Sequence, residues 1–259
     1  MKFLKKSLGQ NFLTDKNIVR KILNLTNLEN KKVIEIGPGK GSLTDEILKR
    51  NPSSLILLEK DKNLFKFLKE KYSSNNIIRI INVDVLKFDF EIFKKKYILL
   101  GNLPYNISSQ ILIKILKSKK IRKFEDVIFM FQKELGEKII SQFPSSHYGR
   151  LSIITSLKLY LVQKFLVRPS CFFPRPKVNS MVIHFRTHKK DKFNIKNISS
   201  LEKVTNTLFS SKRKMINKSI KKLLNKDKLG KLEKLNLNLR PSEINPEMYY
   251  QIAKSYEDQ

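Results

Sequence analysis

Hydrophobic and polar positions along the 259-residue chain follow two different rhythms, and the change between them divides the sequence. Short apolar runs at residues 33–36, 55–58, 77–81, 97–100 and 127–131 are rich in Ile, Val and Leu and are bounded by charges or turn residues. Each has strand length and reads as a buried strand. Between them, residues 43–50, 63–72, 109–117 and 134–141 place apolar side chains at helical spacing. Strand–helix alternation predicts right-handed crossovers and a mostly parallel sheet covered on both faces. Two later strands, 157–167 and 178–186, are joined by a Pro-containing loop in place of a helix, so an antiparallel edge is expected. After the polar stretch 187–192 the strand pattern ends, and residues 198–208, 212–224, 226–235 and 246–255 read as helices. The expected organisation is an α/β domain over residues 1–187 and a small all-α domain over residues 188–259.

Composition narrows this picture. Apolar residues make up 41% and charged residues 29%, enough to build a core and unlike a disordered chain. The balance of 53 basic against 23 acidic residues leaves a net charge of +30, which favours polyanion partners. Yet 43 of those cations are Lys and only 10 are Arg, and the chain has no Trp. The first 187 residues hold 36 basic and 15 acidic side chains and the last 72 hold 17 and 8, nearly the same density. Even spreading matches the codon background of an AT-rich genome, so net charge does not locate a binding face. One feature is local: Lys212, Arg213, Lys214, Lys218, Lys221 and Lys222 crowd six cations into eleven residues. On a helix, Lys214, Lys218 and Lys221 would share a face, either solvated or tracking phosphates.

Cys171 is the only cysteine, which excludes an internal disulfide framework and suits a reducing compartment. With His147, His184 and His188 it offers no zinc spacing, and no metal is expected. The basic N-terminus lacks the apolar run of a signal peptide, and no stretch reaches the ~18 apolar residues of a membrane span. A cytoplasmic chain without a membrane partner is expected.

Glycine is scarce, eight in all, yet Gly37-Pro38-Gly39-Lys40-Gly41 holds three of them directly after the first strand. Such a turn lets a ligand approach the main chain and the start of the next helix. The Gly-x-Gly-x-Gly spacing lacks the tail of the dinucleotide fingerprint. Glu35 precedes the turn, Glu59 ends the second strand where it can accept from ribose hydroxyls, and Asp84 follows the third, placed for an adenine amino group. Singly each acid could be a strand end or a helix cap; at successive strand ends they point to a nucleoside, dinucleotide or S-adenosyl-L-methionine (SAM) alike.

Gly101-Asn102-Leu103-Pro104-Tyr105-Asn106 ends the fourth strand and narrows the chemistry. The exocyclic nitrogen of adenine is a poor nucleophile because its lone pair is delocalised into the ring. Two acceptors aimed at its hydrogens, the Asn102 side-chain oxygen and a main-chain carbonyl near Leu103, would draw it toward tetrahedral geometry. Pro104 fixes the turn and cannot donate, and Tyr105 offers a face for a flipped base. The segment resembles the Asn-Leu-Pro-Tyr motif of SAM-dependent adenine amino-methyltransferases.

The chain as a whole is similar to the ribosomal RNA adenine dimethyltransferases of the small-subunit (16S) type. The resemblance rests also on Lys6-Ser7-Leu8-Gly9-Gln10-Asn11-Phe12-Leu13, on Tyr148-Gly149-Arg150-Leu151-Ser152 and on Phe172-Phe173-Pro174-Arg175-Pro176-Lys177-Val178-Asn179-Ser180. It implies a Rossmann-like fold with a seven-stranded, mostly parallel sheet, and a helical C-terminal domain that binds RNA. It implies cofactor roles for Asn11, Leu13, Gly37, Glu59, Asp84 and Asn102, and catalytic roles for Asn102, Leu103, Pro104 and Tyr105. Phe172 would close the second face of the base, with Phe173 a neighbouring candidate. The implied reaction is SAM-dependent N6,N6-dimethylation of two adjacent adenosines in the 3′-terminal hairpin loop of small-subunit rRNA. Its partner would be the immature 30S subunit, and the enzyme is expected to act as a monomer. Two alternatives stand beside it: a resistance-type enzyme acting on large-subunit RNA, and a 30S assembly checkpoint whose main role is binding.

Overall fold

A computed structural model describes residues 11–189 and 193–258. Residues 6–10 of the N-terminal motif and residues 190–192 of the polar stretch lie outside the described residues. The chain divides into two compact units, Met1–Gly136 with Leu161–Thr187, and Glu137–Tyr160 with His188–Gln259. The join near residue 187 coincides with the break in the sequence pattern. Residues 137–160, placed with the first domain on pattern alone, instead pack with the C-terminal helices.

The first unit begins with β1 (Phe12–Leu13) and α1 (Lys16–Leu23), followed by β2 (Lys32–Ile36), α2 (Ser42–Leu48), β3 (Ser54–Glu59), α3 (Lys62–Lys71) and β4 (Ile78–Asn82). It continues with β5 (Tyr97–Asn102), α4 (Ser108–Leu116), β6 (Phe124–Gln132) and α5 (Lys133–Ile139). After α6 (Arg150–Lys158) come β7 (Leu159–Val167), β8 (Phe172–Phe173) and β9 (Ser180–Thr187). Helices start where the sequence supplies caps: the Asp15 and Asp61 carboxylates each accept two amides at the first turns of α1 and α3.

Seven strands form one sheet in the order β4-β3-β2-β5-β6-β9-β7. The pairs from β4 to β6 are parallel, and β9 runs antiparallel to β6. The order reverses between β2 and β5, and in an open α/β sheet the crevice at the carboxyl ends of such strands is where ligands bind. Near-continuous apolar strands such as Val33-Ile34 in β2 and Ile98-Leu99-Leu100 in β5 are buried, as expected for a sheet covered on both faces.

The structure also departs from the pattern. Residues 150–158 form a helix, so the strand expected from residue 157 starts at Leu159. β1 and β8 make a two-stranded antiparallel ribbon, with Phe12 opposite Phe173 and Leu13 opposite Phe172. Both strands are two residues long, too short for any periodicity to register.

In the second unit, α6, α7 (Ile198–Phe209) and α10 (Pro246–Glu257) pack on one another. Their buried faces include Leu201, Val204, Leu208, Tyr249 and Ile252. The Tyr148 hydroxyl donates to the Ile244 carbonyl and the Tyr250 hydroxyl to the Ile153 carbonyl. The helix expected over 212–224 is realised only as α8 (Asn217–Ile220), with turns on either side. A continuous helix would bring Lys214, Lys218 and Lys222 together at i,i+4 spacing, which repels, and the Ile216 amide donates to the Leu239 carbonyl instead. The helical face expected for Lys214, Lys218 and Lys221 is therefore not formed. α9 (Lys226–Gly230) ends short of the expected residue 235. Among the described residues no helix is long and apolar enough to cross a membrane.

Candidate active site

β2 ends at Ile36 and the chain turns through the glycine cluster into α2. Gly37, Gly39 and Gly41 have φ of 68°, 58° and 85°, a region that side chains with a β-carbon resist. Gly39 is constrained twice, since a β-carbon there would lie 2.8 Å from the Phe12 ring. The turn is tethered from α3: the Tyr72 hydroxyl lies 2.6 Å from Asp45 Oδ1 and 3.3 Å from the Gly41 carbonyl. Lys71 Nζ donates to Asp45 Oδ2 at 2.7 Å and to the Lys40 carbonyl at 3.2 Å. Sequence reading missed this clamp, because only the tertiary fold brings α3 beside the turn.

Three carboxylates stand at successive strand ends. Glu35 is fully buried, and burial pushes its carboxyl up to about 8, against a 2.6 Å hydrogen bond from Thr44 Oγ1. Glu59 accepts from the Gly39 amide at 3.3 Å and the Asp61 amide at 2.8 Å. Burial raises its carboxyl above the usual range, and those amides oppose the rise. Asp84 is held below the usual range chiefly by the Lys60 ammonium, 2.8 Å away, and also accepts from the Leu86 amide.

β5 delivers Asn102, whose Nδ2 donates to the Asn11 main-chain carbonyl at 2.9 Å. Because that carbonyl can only accept, the bond settles which edge of the amide is nitrogen, and the acceptor Asn102 can offer is Oδ1. Leu103 is buried, and the Pro104 carbonyl closes a turn by accepting from the Ile107 amide at 3.2 Å. The Tyr105 hydroxyl meets Ser180 Oγ at 2.5 Å, and burial raises its phenol above the ordinary value.

One cleft gathers nearly all the residues singled out in the sequence. Asn11, Leu13, Gly37, Glu59 and Asp84 line it on the side of the glycine turn, and Asn102, Leu103, Pro104 and Tyr105 on the other side of the switch point. Phe172 is the exception. Expected as the second face of the base, it is instead 4% exposed, packed in the core cluster with Leu13, Met130 and Val182, and it does not line the cleft. Consecutive strand residues point to opposite faces, so its neighbour Phe173 is turned outward and is 49% exposed, although it too lies outside the lining of the cleft. Cys171 is buried with its Sγ donating to Asp15, and burial pushes its thiol up. Among the described residues no group of three His, Cys, Asp or Glu side chains is placed to hold a metal ion.

The cleft fits a nucleoside-bearing methyl donor on its own chemistry. It offers a glycine cradle with no β-carbons and carboxylate acceptors at two further strand ends. An amide of fixed orientation stands a strand away.

Comparison with known proteins agrees. The family described as ribosomal RNA adenine dimethylase matches residues 1–258. The ribosomal RNA small subunit methyltransferase A of Pelagibacter ubique is 44% identical over 257 residues, covering 98% of this chain and 97% of its own. A dimethyladenosine transferase from Plasmodium falciparum has a similar structure, with a TM-score of 0.78 at 24% identity over 93% of this chain and 95% of its own. The 23S rRNA methyltransferase ErmE follows, with a TM-score of 0.70 at 24% identity over 96% of this chain and 100% of its own. At that identity both structures speak for the fold alone, whereas the sequence match runs nearly end to end: the chain belongs to the ribosomal RNA adenine dimethylase family.

Proposed function

We propose that this chain dimethylates the N6 atoms of two adjacent adenosines in the 3′-terminal hairpin loop of small-subunit rRNA, using SAM as methyl donor. One observation carries the reading: Asn102, its amide oriented by Asn11, shares a cleft with the carboxylates of Glu59 and Asp84. The name of the 44%-identical relative supports the small subunit as target. The likeness to a large-subunit enzyme is a likeness of fold and does not favour that alternative.

When bound, SAM supplies a methyl group on a positively charged sulfur, ready for transfer in a single displacement. Glu59 would hold the donor's ribose hydroxyls and Asp84 its adenine amino group, while Gly37, Asn11 and Leu13 would shape the cradle. Asn102 Oδ1 and the main chain at Leu103-Pro104 accept the hydrogens of the target N6, concentrating its lone pair toward the methyl. Tyr105 stacks on the target base, a contact worth ~1–3 kcal/mol in comparable aromatic–base pairs. The exposed ring on the β8 ribbon, Phe173, supplies the second face. Positioning and preorganised acceptors carry the rate, with no covalent intermediate. Loop bases are partly unstacked, which lowers the cost of flipping. The enzyme works as a cytoplasmic monomer on the immature 30S subunit, and its second unit contributes RNA contacts.

Primer extension on unmodified 30S and 50S particles treated with the protein and SAM tests the reading. Stops at two adjacent adenosines in the 30S RNA are expected, and stops confined to 50S RNA would overturn it.

A further inference from the structure

We propose that Ser180 is a positioning residue for the methyl transfer, holding the Tyr105 ring at the angle the target base must stack against; this rests on the function proposed above. Tyr105 lies in the loop after β5, where the main chain is fixed by the Ile107-to-Pro104 bond and by Ser108 Oγ donating to the Tyr105 carbonyl. Those bonds fix only the Cα end of the residue. Ser180 fixes the far end: its Oγ is 2.5 Å from the Tyr105 hydroxyl, seventy-five residues away in sequence. Ser180 is 0% exposed and opens β9, where it pairs with Gln132 at the end of β6. The anchor is therefore part of the central sheet, and its rigidity passes to the ring.

A stacking platform pinned at both ends keeps its torsions within one well before the base arrives, so the base does not have to order it. The phenol is not needed for stacking as such, since a phenylalanine ring offers the same face. A hydroxyl pair at this depth serves orientation, and leaving either hydroxyl buried without the other carries a desolvation cost. No other described residue hydrogen-bonds the Tyr105 hydroxyl.

The experiment is a double-mutant cycle on methyl transfer to unmodified 30S subunits, comparing Ser180→Ala, Tyr105→Phe and the double variant. Thermal melting checks folding, and calorimetry with SAM reads the donor affinity. Each single variant should lose about three- to tenfold in kcat/KM, most of it in kcat, with the SAM Kd unchanged. The double variant should lose no more than either single one, and Ser180→Thr should restore the rate. Multiplicative losses in the double variant, wild-type turnover in Ser180→Ala, or a Tyr105→Phe loss far beyond that of Ser180→Ala would each overturn the proposal. A wild-type protein that transfers no methyl to 30S RNA would instead defeat the proposed function, leaving the Ser180–Tyr105 bond unconnected to any reaction.

Discussion

Asn102 shows how far one residue's chemistry can be read before a fold is known. Its place after a strand and before Pro104-Tyr105 already implied an acceptor for an amine; the Asn11 carbonyl adds the reason its oxygen faces the right way. Replacing Asn102 with Ala should lower turnover about 10²–10³-fold, the usual effect of removing one preorganised polar group. The SAM Kd, followed by calorimetry, should change far less; equal losses would make Asn102 a cofactor-binding residue only. Glu35 makes a second prediction. Its carboxyl is protonated in the folded chain up to about pH 8, but ionises near 4.5 once unfolded. Between those values the folded state holds the extra proton, so stability falls as pH rises through the window, by up to ~1.4 kcal/mol per unit. Thermal melts of Glu35→Gln between pH 5 and 8 should therefore show a flatter profile than the wild type, and an unchanged slope would refute the buried, neutral Glu35. The Thr44 bond and the Tyr72–Asp45 clamp were not legible, because each depends on which helix packs behind the glycine turn.

Elements were legible in proportion to their length. The five parallel strands and their helices follow from runs of apolar residues long enough to show a period. The β1–β8 ribbon, with two residues on each side, shows none, and its register decides which phenylalanine is buried. That register places Phe172 in the core and turns Phe173 outward. Phe172→Ala should accordingly cost about 3–5 kcal/mol of stability, as large core truncations do. Phe173→Ala should leave stability within about 0.5 kcal/mol and reduce methylation. Chemical unfolding and turnover on both variants would measure this, and a stable Phe172→Ala protein that no longer methylates would return the stacking role to Phe172. The basic stretch 212–222 failed as a helix for a local reason, like charges at i,i+4 spacing, which apolar periodicity alone does not register.

Across the whole molecule, the far end of the sheet is held by a different kind of site. Asp126 pairs with Ile98 near the start of β5, away from Asn102, and accepts from His184 at 2.6 Å, Arg186 at 2.8 Å and Thr26 at 2.8 Å. Burial works against its charge, but these three donors outweigh it and hold its carboxyl at about 2. His184, 1% exposed, is thus structural, and the reaction is left to the switch-point cleft. Net charge told less than its size promised, because +30 is spread evenly along the chain. What remains local is the exposed run Lys212-Arg213-Lys214 in the second unit. Replacing these three with Gln should reduce the slope of log K against log salt for 30S binding by about 2. An unchanged slope would assign the run to solvent.

The central claim is that this cleft dimethylates adenosines of the small subunit. The most direct test is mass spectrometry of nuclease fragments from unmodified 30S subunits incubated with SAM and either the wild-type protein or Asn102→Ala. The wild type should convert two adjacent adenosines of the 3′-terminal loop to N6,N6-dimethyladenosine, and the variant should do so about 10²–10³-fold more slowly. Absence of dimethyladenosine with the wild type, or its formation by the variant at the wild-type rate, would contradict the account.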